Sequence, residues 1–301
     1  TLLIFNLTFV SSAQADPEFA NTVSVGTTGN DGDKPQDVAF NSDGTKMFVL
    51  NNKSSPQCND DDGVDQYNIE TNYPFDLTRA GSIQAFKLVK NEDCAPRSFA
   101  FNTDGDKMFV VGDDGDDVNE YSLSSDFVVS SASFVRRYPV SSQDNSPQGI
   151  AFNSNGTKMF VVGMDNGYVN EYTYSGTAIS FVRRYLVRSQ DTKPRGLAFN
   201  NDGTKMFVVG DDGNDINEYT LSTAFDVSSA SFVDGNGDGT GFSVRTQTPT
   251  PSGIAFNNDG TKMFVTDRGG ADVHSYDLDA PFDIGFTDPI LSSSVPADNA
   301  T

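Results

Sequence analysis

One phrase recurs five times in this 301-residue chain. It runs proline, two variable residues, an apolar residue, Ala-Phe-Asn, a variable residue, Asp or Asn, Gly, a variable residue, then Lys-Met-Phe-Val. Its prolines are Pro35, Pro96, Pro147, Pro194 and Pro251, at intervals of 61, 51, 47 and 57 residues. That period is too long for most helical repeats and fits one four-stranded propeller blade. A single such unit exposes apolar residues on both faces, so neighbouring units must stack to bury them.

Each phrase reads as two strands and a turn. Val38-Ala39-Phe40-Asn41 and Lys46-Met47-Phe48-Val49-Leu50 flank Ser42-Asp43-Gly44-Thr45, and Asp-Gly between two apolar runs marks a hairpin. A third strand follows at Val64, Val118, Val169, Ile216 and Val273. It starts ten residues after the Met of the second strand in four units and seventeen after it in the first. A fourth strand is clearest in Ser133–Tyr138 and Ser180–Tyr185. We name the strands a to d. Insertions fall between b and c in blade 1 and around Asp234 to Gly239 in blade 4, which reads as variation confined to connections.

The chain carries 20 Lys and Arg against 42 Asp and Glu, a formal net charge of −22. Nucleic acid is thereby excluded as a partner, since phosphate binding has no electrostatic basis here. An apolar stretch, Leu2 to Val10, precedes Ala13-Gln14-Ala15, the small-residue pattern of a secretory cleavage site. Residues 1–15 are read as a partial signal peptide, 16–291 as the propeller and 292–301 as a polar tail. The expected location is secreted, periplasmic or cell surface, with no membrane span in the mature chain. Two cysteines in an exported chain suggest a bridge. Cys58 sits in the enlarged b–c loop of blade 1 and Cys94 in the d–a link, at one edge of the blade, where a disulfide would stabilise by about 3 to 4 kcal/mol.

The run from Pro147 to Phe152 and on through Asn155-Gly156-Thr157-Lys158-Met159-Phe160-Val161-Val162-Gly163 resembles the YVTN and lactonase-like class of β-propeller repeats, over nearly the whole mature chain. The resemblance implies an architecture that hosts binding modules, surface-layer proteins, lactonases and lyases, so function rests on the site. For lactonase-like members it also implies an axial metal held by Glu, Asn and Asp from inner strands or the loops above them. The inner strands here read Val-Ala-Phe-Asn and its variants, with no carboxylate. Asn41, Asn102, Asn153, Asn200 and Asn257 are expected to satisfy backbone groups of the following turn.

Candidate chemistry is concentrated at one end of the ring. The b–c loops carry Asp60 to Asp62, Asp113 to Asp117, Asp165 and Asp211 to Asp215, and the d–a links add Asp31, Asp33, Asp93, Asp144 and Asp191. Within this acidic face Arg97 and Arg195 follow the strand-a prolines, where Gln36, Gln148 and Ser252 occupy the other blades. Arg97, Arg195, Gln36, Gln148, Asp113, Asp114, Asp211 and Asp212 form the candidate ligand set, suited to an anionic or hydroxylated ligand such as a sugar acid. Asp234, Asn236, Asp238 and Thr240 fit the first half of a calcium loop, but Arg245 stands where its bidentate Glu would be. Glu120, Glu171 and Glu218 on strand c are expected to pair with Arg136, Arg137, Arg183 or Arg184. The single histidine, His274, fills a slot that holds Asn elsewhere and supports no catalytic triad.

The expected fold is an all-β propeller with five blades, with a truncated six- or seven-bladed ring as the alternative. The strand around Thr22 to Gly26 is placed against the last blade, although Phe282 to Leu291 competes for that position. The expected function is that of an exported, non-catalytic binding module using its acidic loop face, stabilised by Ca²⁺, with a small molecule, glycan or protein as partner. The alternative is a metal-dependent lactonase- or lyase-like enzyme at the tunnel mouth. A third reading is a structural repeat of a larger surface protein.

Overall fold

The computed structural model describes residues 17–25, 34–52, 62–234 and 239–285. The signal-peptide segment, Cys58, Asn236, Asp238 and the polar tail lie outside the described residues. Five antiparallel sheets, each led by the repeated phrase, form the blades. Strand a is Pro35–Phe40, Pro96–Phe101, Pro147–Phe152, Pro194–Phe199 and Pro251–Phe256 in turn. Strand b is Lys46–Asn51, Lys107–Gly112, Lys158–Gly163, Lys205–Gly210 and Lys262–Asp267. Strand c is Gly63–Ile69, Asp117–Leu123, Tyr168–Tyr174, Asp215–Leu221 and Asp272–Asp277.

Each a strand packs against the a strands of the blades on either side, and the fifth returns to the first, so the ring closes at five. Closure is made by the chain's beginning: Glu18–Ser24 is the outer strand of blade 5, antiparallel to Asp272–Asp277 with Thr22 opposite His274. Phe282 instead ends in a loop, and its ring covers the a–b turn at Gly260. The other d strands are Ala80–Leu88, Ala132–Pro139 and Ile179–Leu186. Blade 4 departs from expectation, because its d strand is split into Ala230–Phe232 and Phe242–Ser243, both paired to strand c. The blade-4 insertion therefore interrupts a strand, on the outer edge where one sheet neighbour is missing and an interruption is tolerated.

The phrase explains the packing. Met47, Met108, Met159, Met206 and Met263, with the Phe that follows each, are wholly buried between blades. Each a–b turn is closed by its Asn, whose Oδ1 accepts from the Lys backbone N–H at 2.8–2.9 Å, as in Asn153 with Lys158 at 2.8 Å. The turn glycine takes a positive φ, +69° at Gly44. Between blades an aromatic triad forms, such as Phe160, Phe199 and Phe225. The third member comes from the c–d loop at Phe75, Phe127, Phe225 and Phe282, each itself at positive φ with its ring over the turn glycine. Blade 3 has the shortened c–d loop and lacks that Phe. Tyr174 takes its place against Phe109 and Phe152, and Gly156 is left with open space beside it.

The strand-c glutamates are structural, with a different principal partner from the one expected. Lys107, Lys158 and Lys205, the lysines of the phrase, sit diagonally across the sheet and bring Nζ to 2.9, 2.9 and 2.8 Å from Glu120, Glu171 and Glu218. Arg136 and Arg183 are further off, with Nε at 3.5 and 3.7 Å. Lys158 and Lys205 also donate to the carbonyls of Phe225 and Phe282 on the next blade, so one lysine pairs with its own sheet and fastens the following one.

Candidate functional site

The b–c loops and the starts of the a strands meet around the axis at one end of the ring. There the side chains of blades 1 to 5 join into a belt. Arg97 NH1 donates to Gln36 Oε1 at 3.5 Å, and its Nε and NH2 reach Asp113 Oδ2 at 2.8 and 2.7 Å. Asp113 Oδ1 accepts from Gln148 Nε2 at 2.5 Å and from Ser146 Oγ at 2.9 Å. Arg195 donates through NH1 to Gln148 Oε1 at 3.0 Å and through NH2 to Asp211 Oδ2 at 2.6 Å. Arg268 NH2 completes the run at 3.1 Å from the same Asp211 oxygen.

Six of the eight residues expected at this face, Gln36, Arg97, Asp113, Gln148, Arg195 and Asp211, are thus brought together. Asp114 and Asp212 are not. Both are exposed, Asp212 accepts from Thr192 Oγ1 at 2.6 Å on the rim, and Asp114 acts on Asp93 rather than on the axis. Arg268 belongs to the belt and was missed. It occupies the slot just past strand b that holds Asp113 and Asp211 in blades 2 and 4, and this charge reversal was the available signal.

Three guanidinium groups face two carboxylates here, leaving an excess positive charge within an acidic protein. Burial pulls Arg268 below its usual value, with Arg195 and Arg97 adding repulsion and Asp211 opposing them. Arg195 is 9 % exposed, and its Nε is buried with no partner. Such a buried donor carries hydrogen-bonding capacity that no protein acceptor meets.

A second missed residue lies one step further along strand a of blade 1. The inner strand begins at Pro35 and includes Asp37, so the expectation of inner strands free of carboxylates does not hold. Asp37 replaces the Ser98, Gly149, Gly196 and Gly253 of the other blades. At this level the strands come close: a Cβ on Gly149 would stand 2.5 Å from the Arg195 carbonyl, and one on Gly196 2.6 Å from that of Ser252. Asp37 Oδ2 accepts from Ser98 Oγ at 2.5 Å and from the Phe99 N–H at 3.2 Å, while Oδ1 accepts from the Val38 N–H at 2.9 Å. Burial pushes its carboxyl up to about 7 against the pull of those donors.

Beyond this constriction the axis widens into a vestibule of about 390 Å³ that opens among the a–b turns, at the end opposite the belt. Its wall is apolar, built from Val38, Phe99, Ile150, Leu197 and Ile254 with the alanines that follow them, and Asn102, Ser154 and Asn258 stand at the rim.

The calcium-loop reading is only partly visible. Asp234 Oδ1 accepts from the Gly239 N–H at 3.2 Å, and Asn236 and Asp238 lie outside the described residues. Among the described residues no three His, Cys, Asp or Glu side chains gather in one place. Cys94 is disulfide-bonded, and Cys58 lies outside the described residues. No helix among the described residues is long and apolar enough to cross a membrane.

No protein-family model matches the chain, and no curated protein matches it. Solved structures do resemble it. A putative 6-phosphogluconolactonase from Bacteroides uniformis is 14% identical with a TM-score of 0.47, covering 82% of this chain and 67% of its own. The periplasmic gluconolactonase of Pseudomonas aeruginosa is 18% identical with a TM-score of 0.45, over 79% of this chain and 64% of its own. A functionally unknown protein from Desulfotomaculum acetoxidans is 13% identical with a TM-score of 0.49, over 84% and 73%. The described residues form a five-bladed propeller.

Proposed function

We propose that the belt receives a small hydroxylated anion, a sugar acid or the lactone that yields one, and that the protein opens such a lactone as an enzyme. What carries the reading is the convergence of Arg97, Arg195 and Arg268 on the axis, with the amides of Gln36 and Gln148 between them and Arg195 Nε unfilled. Guanidinium forks suit carboxylates, amides suit hydroxyls, and the same donors would stabilise the oxyanion formed when water adds to the acyl carbon. The ring C–O bond then breaks, and the departing oxygen keeps a proton from the water. The lactonase-like character of the repeat supports this reaction class. We take the protein as exported, on the Ala13-x-Ala15 pattern, which would expose it to free extracytoplasmic metabolites.

Capture without turnover is the second reading. It is favoured by Asp113 and Asp211, which are already engaged by guanidinium or amide donors and so offer no free base in the belt. One experiment separates the two. Hydrolysis of gluconolactone and 6-phosphogluconolactone is followed at constant pH over the spontaneous rate, with and without added Ca²⁺, and binding of gluconate and 6-phosphogluconate is measured by calorimetry. Arg195→Gln and Arg268→Gln are each expected to weaken binding by about tenfold, the loss of one charge-assisted hydrogen bond. Acceleration lost in both variants supports the enzyme. Binding without acceleration leaves capture, and neither in the intact protein rejects both.

A further inference from the structure

The vestibule at the a–b turn end takes no part in the belt reading. It is a concave apolar space of about 390 Å³, within the range of small-molecule sites, with contributions from all five blades. Its inner wall is built largely of hydrocarbon and aromatic rings, with polar side chains such as Asn102, Ser154 and Asn258 at the rim and Asp37 in the lining at the inner end. The described residues supply no Lys, Arg or His to pair with that group, and all its hydrogen bonds come from uncharged donors. Near the mouth Phe40, Phe101, Phe152 and Phe256 lie around the same space. At blade 3 the c–d loop Phe that covers the turn glycine in the other four blades is missing, and Gly156 lines the space with nothing beside it.

A lone buried carboxylate under aromatic walls is complementary to a cation carried on an apolar body. The cation supplies the counter-charge, ring faces add cation–π attraction, and the body removes apolar surface from water. We propose that the vestibule is a second small-molecule site, for a protonated amine with an apolar body whose ammonium sets against Asp37. Neutral apolar molecules fit the wall but leave the carboxylate without a counter-charge, and anions are repelled by it. Burial already holds the Asp37 carboxyl near 7, and an ammonium beside it would draw the proton off.

The probes are 2-phenylethylamine and its neutral counterpart 2-phenylethanol, titrated by calorimetry at pH 8, where the amine is charged. The amine is expected to bind the intact protein at least about tenfold more tightly than the alcohol. In Asp37→Asn the preference should shrink to under about twofold with the alcohol's affinity kept. The chain has no tryptophan, so Ser154→Trp places one reporter at the rim, and its emission should change with the amine at the same half-saturation. Arg195→Gln should leave amine binding unchanged, which keeps this result separate from the belt. Equal affinities for amine and alcohol in the intact protein, no binding of either, or a preference that survives Asp37→Asn would overturn the proposal.

Discussion

Valine at position 253 is expected to break the ring. A Cβ there would lie 2.5 Å from Asp37 Cα, 2.3 Å from Asp37 Oδ1 and 3.0 Å from the Gln36 carbonyl, and two of these three are backbone atoms of the first blade. Nothing flexible can move aside, so blades 5 and 1 must separate at the axis. Overpacking of this kind costs about 3 kcal/mol, which in a chain of this size lowers the thermal midpoint by roughly 5 °C. Gly156→Ala is the control, because its new Cβ meets nothing within 4 Å and only the strain of a positive φ remains. That change should cost about 1 kcal/mol. Circular dichroism melts of the two variants check the pair, and a Gly253→Val midpoint within about 2 °C of the parent's would mean that the inner strands are not pinched at this level.

Thermal stability is expected to fall as pH rises from about 5 to 8. The cause is a set of buried aspartates. Asp37, Asp93 and Asp191 have carboxyls pushed from 3.8 up to about 7, chiefly by burial. Hydrogen bonds from the Ala95 and Lys193 N–H groups pull Asp93 and Asp191 back, while neighbours such as Asp114 and Asp215 push them further up. Below 3.8 both folded and unfolded chains hold these protons. Between 3.8 and about 7 the unfolded chain has released them and the folded chain keeps them, so their stabilising contribution shrinks with each step and is lost through pH 7. The loss is on the order of 1 to 4 kcal/mol per group.

On the acid side the sense reverses. Asp43, Asp202 and Asp259 are held below their usual range by the hydroxyls of Thr45, Thr204 and Thr261, and their contribution disappears as pH drops through the carboxylate range. The midpoint should therefore peak in mild acid. Combining Asp93→Asn with Asp191→Asn should flatten the decline between pH 5 and 8, since each Asn keeps a carbonyl oxygen for the same N–H and cannot ionise. A midpoint that climbs steadily from pH 5 to 8 would contradict the assignment.

Much of the architecture could be read directly, because the repeated phrase carries strands a and b, their turn and the buried Met-Phe pair in contiguous residues. Strand c followed from spacing, whereas two segments, Thr22 to Gly26 and Phe282 to Leu291, competed for the closing strand until pairing placed Glu18–Ser24 there. The rest depends on contacts that no local pattern encodes. Asp37 was overlooked because the inner strand was read from its apolar part, Val38 onward, whereas pairing extends back to Pro35. Arg268 lies in a loop, and it joins Asp211 only when blade 5 is set beside blade 4. The lysine partners of Glu120, Glu171 and Glu218 arise from a diagonal across the b–c pair, Phe109 being directly opposite Glu120, and sequence separation gives no hint of it. The vestibule is a property of five strands at once: the Ala of each phrase is small, and only the closed ring turns that smallness into volume.

The belt, the constriction and the vestibule all exist only if the chain's beginning locks onto its last sheet. Thr22 Oγ1 lies 2.7 Å from His274 Nδ1, 252 residues away, and the two residues face each other across an antiparallel pair. Their separation suits a disulfide. Oxidation of a Thr22→Cys, His274→Cys double variant, followed by mapping of cross-linked peptides, should return one species joining these two positions in nearly every folded molecule. Failure of that cross-link to form in folded, monomeric protein, or its formation only between molecules, would contradict a ring closed at five blades.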